Sequence, residues 1–89
     1  MEVRLIERHA SFRTRRILEI GSGDGRLTRQ YAQLASGVVA IEPDPAAVKL
    51  ARKLTAAEGI QNVSFRVGSA ERARLGSGRF DVVLFSWAL

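Results

Sequence analysis

The sequence predicts an α/β fold with a parallel sheet, and three observations carry that prediction. Short apolar runs at 17–20, 38–41 and 80–85 read as strands covered on both faces. An amphipathic helical pattern separates the first run from the second. Between the first run and that helix lies a turn with glycine at alternate positions, Gly21-Ser22-Gly23-Asp24-Gly25.

Ile17, Leu18 and Ile20 form the first strand, bounded by Arg15-Arg16 and by Gly21. Glu19 is the misfit, since a carboxylate buried without partners costs roughly several kcal/mol. It is expected where the strand meets a polar ligand. Gly21, Gly23 and Gly25 remove side chains from the turn, which permits positive φ and close approach of a ligand to the backbone. A helix from about Asp24 to Ser36 follows, with Leu27, Tyr31 and Leu34 as its apolar stripe and Gly37 as its stop. The unpaired N–H groups at its amino end favour an anionic ligand group.

Val38-Val39-Ala40-Ile41 reads as the second strand and ends in Glu42. Strand, glycine turn, helix, strand and acid make one βαβ unit, whose ligands bind beyond the carboxyl ends of the strands. Asp44-Pro45 is a helix start, an N-cap acceptor before proline, and Val48, Ala51 and Leu54 give that helix an apolar face ending near Gly59. Val63, Phe65 and Val67 alternate with Ser64 and Arg66 as a third strand, followed by Gly68-Ser69-Ala70-Glu71. Residues 69–79 read as a loop after a short helical turn, and Phe80 to Phe85 as the fourth strand. Arg4 and Arg8, one turn apart, read as the outer side of a solvated helix.

These motifs resemble the class I methyltransferases that use S-adenosyl-L-methionine, from about Arg16 to the last residue. The family's acidic residue and Gly-x-Gly-x-Gly are matched by Glu19, Gly21, Gly23 and Gly25, with Ser22 inside the turn, and its second acid by Glu42 in Ala-Ile-Glu-Pro. The resemblance implies a Rossmann-like three-layer sandwich, truncated after about four strands in the order 3-2-1-4. It implies that Glu19 helps hold the methionine part of the cofactor and that the glycine turn passes beneath it. Glu42 would accept hydrogen bonds from both ribose hydroxyls, a task suited to two carboxylate oxygens, and Pro43 would pack against adenine. The family places an acid near Ser69 to bind the adenine amino group. Serine here departs from that pattern, though its hydroxyl still accepts. Ser69 and Ala70 follow the third strand, and Ser86 begins the segment that in the family flanks the methyl group or its acceptor.

A dinucleotide-binding oxidoreductase also uses a glycine turn and a later acid, but its Gly-x-Gly-x-x-Gly fingerprint requires glycine where this chain has Arg26. Three function classes follow: a methyltransferase cofactor half, a nucleotide-binding Rossmann oxidoreductase fragment, and a non-catalytic cofactor-binding remnant. The resemblance implies in-line attack of an acceptor on a sulfonium methyl group, driven by positioning worth up to ~7–11 kcal/mol. Family members that methylate the exocyclic amines of bases usually follow this strand with an Asn or Asp, two prolines and an aromatic residue, where this chain has Ser86-Trp87-Ala88-Leu89, so base-amine methylation is less expected. Small-molecule, O-, C- and protein methylation stay open, and no catalytic base is named.

With 89 residues the chain is expected to be a single partial domain. In the family order 3-2-1-4-5-7-6 the fourth strand has neighbours on both sides, so Val82 to Phe85 is expected as a bare apolar edge. That edge points to an amino-terminal fragment prone to associate, ahead of a minimal enzyme. The net charge of +5 and pI near 11.1 are compatible with nucleic acid. Lys49, Arg52 and Lys53 nevertheless read as a solvated helix face. With no cysteine, disulfides and cysteine metal sites are excluded. No apolar run reaches membrane-spanning length, and a cytoplasmic setting is expected. His9 reads as solvated. Trp87 serves an acceptor pocket or the core. Asp81 reads as a strand-start residue bonded to nearby backbone. Oligomeric state is not indicated.

Overall fold

The computed structural model describes residues 2–7, 15–69 and 80–87, with residues 2–7 and Trp87 described by their backbone. In chain order the elements are β1 (Glu2–Glu7), β2 (Arg16–Ile20), α1 (Arg26–Tyr31), a 3-10 turn (Ala32–Leu34), β3 (Gly37–Glu42), α2 (Pro45–Ala57), β4 (Val63–Val67) and β5 (Val82–Trp87). One sheet holds all five strands in the order β1-β5-β2-β3-β4. Its parallel part, β4-β3-β2-β5, has the expected 3-2-1-4 order. Ile17 lies opposite Val38 and Val82, and Val38 opposite Val63. This register brings the carboxyl ends of β2, β3, β4 and β5 to one rim.

Residues 2–7 correct the sequence reading. They form a strand, not a solvated helix, and β1 pairs antiparallel with β5 along its whole length, from Glu2 opposite Trp87 to Glu7 opposite Val82. The edge expected to be bare is therefore hydrogen-bonded. Alternating Val3, Leu5 and Glu2, Arg4 are as compatible with a strand as with one helical turn, and pairing to an open edge decides between them. Arg8 and His9 lie outside the described residues.

Both described helices cover the same sheet face. Ile17, Val38, Val82 and Leu84 pack with Tyr31, Ala32 and Ala35, while Ala40 and Phe65 pack with Val48 and Ala51 of α2. Strand alternation sends Leu18, Ile20, Val39, Ile41, Val83 and Phe85 to the opposite face. The residues that could add a third layer there, 8–14 and 70–79, lie outside the described set.

α1 is shorter than its sequence pattern. It tightens into the 3-10 turn after Tyr31, and Asn62 Nδ2 donates to the carbonyls of Ala32 (2.7 Å) and Ala35 (3.1 Å), satisfying the helix end. The change of pitch buries Ala32 and Ala35 and turns Leu34 outward, to 49% exposure. α2 follows its expected bounds, with the Asp44 side chain accepting from Ala46 N at 3.0 Å and Pro45 in the first turn. Asp81 accepts from Arg16 N at 2.9 Å and donates its own N–H to Arg16 O at 2.8 Å, which pins the start of β5 to β2.

Candidate functional site

The glycine turn leaves β2 at the rim and is fastened to β3 from two directions. Gly21 N donates to Ile41 O at 2.8 Å, and Gly23 N donates to Glu42 Oε1 at 2.8 Å. The other carboxylate oxygen, Oε2, accepts from Asp44 N at 2.9 Å, and Gly68 N donates to Glu42 O at 3.0 Å. Glu42 thus ties together the turn, the start of α2 and the residue after β4. Each of its carboxylate oxygens accepts one of these backbone bonds and retains a second lone pair, and the residue is only half-buried. Such a group can receive two neighbouring hydroxyl donors.

Gly23 and Gly25 have different reasons to lack a side chain. At Gly23, with φ +57°, a Cβ would meet nothing within 4 Å, so the space over this backbone is open. At Gly25, with φ +78°, a Cβ would lie 2.9 Å from Phe65 Cζ and 3.3 Å from Ala51 Cβ. The first opens the turn toward a ligand and the second lets the turn pack on β4 and α2. Ser22, between Gly21 and Gly23, is buried, and its Oγ has no hydrogen-bond partner. Arg29 braces the turn from behind, with Nη1 donating to Asp24 O at 2.7 Å and Nε 2.9 Å from Glu58 Oε2. Pro43 is exposed beside Glu42, and half-buried Ser69 follows Gly68 at the same rim. Ala70 lies outside the described residues.

Glu19, expected where β2 meets a polar ligand, sits among protein hydroxyls. It is fully buried on the α1 face, and each of its oxygens is taken by a protein hydroxyl. Thr28 Oγ1 and Tyr31 OH each donate to Oε1 at 2.6 Å, and Ser86 Oγ donates to Oε2 at 2.6 Å. Burial, and then the charge of Glu19, push the Tyr31 phenol far above its ordinary range, so Tyr31 remains a donor. Ser86 Oγ also lies 3.1 Å from Gly21 O, in contact with the turn itself. Thr28 and Tyr31 were not legible as site residues. Their signal in the sequence is the acid, which needs donors, and the hydroxyls on the helix that must cover it.

Residues 17–89 match a family described as a methyltransferase domain. The chain belongs to that family. It is 36% identical over 69 residues to a ubiquinone biosynthesis O-methyltransferase of Azorhizobium caulinodans, covering 78% of this chain and 27% of that protein. Among solved structures, the YcgJ protein of Bacillus subtilis superposes with a TM-score of 0.75 at 26% identity, covering 81% of this chain and 31% of that one. DhpI, solved in complex with S-adenosylhomocysteine (SAH), gives a TM-score of 0.52 at 32% identity, covering 60% of this chain and 24% of its own. The chain thus spans about a third or less of the length of each of these proteins. Among the described residues no helix is long and apolar enough to cross a membrane, and no His, Cys, Asp and Glu cluster could hold a metal ion.

Proposed function

We propose that this chain carries the S-adenosyl-L-methionine-binding part of a methyltransferase, as one partial domain over residues 1–89. The observation that carries the reading is Glu42. Its half-exposed carboxylate is held at the rim by Gly23 N and Asp44 N, beside a turn whose central glycine has open space above it. In this role Glu42 receives the two ribose hydroxyls, Gly21 to Gly23 form the floor, Pro43 borders the base, and Ser22 and Ser69 line the cradle. When bound, the cofactor supplies an electrophilic methyl group. The protein's part is to fix that group's direction and exclude water, since positioning supplies much of the barrier reduction in such transfers.

The acceptor is a molecule with a nucleophilic atom presented near the end of β5. The activity in the name of the Azorhizobium relative is on oxygen, which makes acceptors methylated on oxygen the first to assay. A cytosolic setting suits this reading.

Calorimetric titration tests it. SAH is expected to bind with one-to-one stoichiometry, and NAD is expected to give no heat of binding. Binding of NAD in preference to SAH would replace this reading with the oxidoreductase one, and binding of neither would overturn both.

A further inference from the structure

The buried acid of the first parallel strand accepts hydrogen bonds from the hydroxyls of two other elements. Thr28 and Tyr31 come from α1, the helix that leaves the glycine turn, and Ser86 comes from the end of β5. Ser86 has one proton and two acceptors within reach, Glu19 Oε2 at 2.6 Å and Gly21 O at 3.1 Å. The shorter distance assigns the proton to Glu19. Any shift of Gly21 that follows occupation of the turn therefore alters a contact made by the hydroxyl that anchors the end of β5. Trp87, the sole tryptophan, is the next residue.

We propose that Glu19 and Ser86 are positioning residues. They form a hydroxyl–carboxylate latch that sets the glycine turn and the carboxyl end of β5 relative to one another, so that occupation of the turn is felt where the acceptor segment begins. The proposal rests on the ligand reading above for its second half only, since the latch between turn and strand exists without a ligand. Its energetic logic is that a buried carboxylate must keep its donors, so elements supplying those donors cannot move independently. Tyr31, held as a permanent donor, fixes the α1 side, and Ser86 is the smaller, rotatable partner on the β5 side.

Two measurements on the full chain test the latch. In ligand-free protein, amide hydrogen exchange is compared between wild type, Ser86→Ala and Ser86→Thr. Ser86→Ala is expected to speed exchange of the Gly21 and Gly23 amides about tenfold while the β3–β4 amides keep their rates, and Ser86→Thr, which retains the hydroxyl, is expected to restore protection. Unchanged turn amides, or equal acceleration throughout the sheet, would overturn the latch. With saturating SAH, wild-type Trp87 emission is expected to shift, and Ser86→Ala is expected to bind with the shift abolished. A full shift in Ser86→Ala would sever the turn from β5. If wild type binds no SAH, the ligand reading fails, and the exchange data still decide whether the turn and β5 are latched.

Discussion

Gly25 and Phe65 are in such close register that a single added methyl on the glycine would sit 2.9 Å from the aromatic ring. The turn, β4 and α2 meet at this point, so the ring or the backbone must shift to admit that methyl. The left-handed conformation of Gly25 adds to the penalty.

Gly25→Ala is accordingly expected to destabilise the fold by about 2–4 kcal/mol, the sum of left-handed strain and overpacking. Gly23→Ala carries strain without a clash and is expected to cost about 1–2 kcal/mol. Urea denaturation of the two variants checks the order. Gly23→Val should additionally weaken SAH, because its side chain fills the space over the turn, and wild-type affinity in the folded variant would show that no ligand uses that space.

Removing the carboxylate of Glu42 is expected to weaken SAH binding by ~2–4 kcal/mol, since two hydroxyls lose their shared acceptor. The structure adds that Gly23 N and Asp44 N lose theirs as well. Glu42→Ala should therefore also lower stability, by about 1–3 kcal/mol. Calorimetry and denaturation on the same sample separate the two losses, and an unchanged dissociation constant would remove Glu42 from the binding site.

Much of this arrangement was legible in the chain because it follows from local rules. Alternating apolar runs, Asp44-Pro45 and the glycine spacing each dictate their own conformation, and the parallel order follows from a βαβ connection. What was not legible depends on long-range partners. Leu34 fits the helical stripe, yet the Asn62 amide ends the helix on carbonyls about thirty residues away in sequence, and the side chain turns outward. The donors that Glu19 requires lie on α1 and at the far end of β5, so the chain shows the acid without showing its partners. β1 has no decisive period of its own and takes its conformation from the edge it pairs with.

The Tyr31 phenol makes stability depend on alkaline pH. Because its folded pKa is raised above the ordinary value of 10.0, its contribution is complete below pH 10 and is lost as pH rises further, when only the unfolded chain releases the proton. The expected loss approaches ~1.4 kcal/mol per pH unit. Tyr31→Phe should be less stable near neutrality by about 1–3 kcal/mol, having removed a donor from Glu19. The gap to wild type should then narrow between pH 10 and 11.5. Parallel curves for the two proteins across that range would show that the phenol ionises freely in the fold.

Deleting residues 1–7 should uncover β5 and promote association. The pairing from Glu2 to Glu7 satisfies a strand edge that otherwise offers Val82, Val83, Leu84 and Phe85 to any neighbour. Light scattering over a concentration series should show larger species for the shortened chain than for the full one. Equal molar mass for both would mean that β1 is not what guards this edge.

The β1–β5 pairing also bears on the order in which the chain acquires its structure. Residue 2 finds its partner at residue 87, so β1 is placed after the strands that lie between them in sequence. The βαβ unit from β2 to β3 closes over a short stretch of chain and can nucleate early, whereas β1 must wait until β5 is seated. During folding β1 therefore stays unpaired until β5 is in place, and the slowest folding phase should report its docking. Closing so long a loop adds only about 0.6 kcal/mol for each doubling of its length, so the delay is kinetic far more than it is a loss of stability.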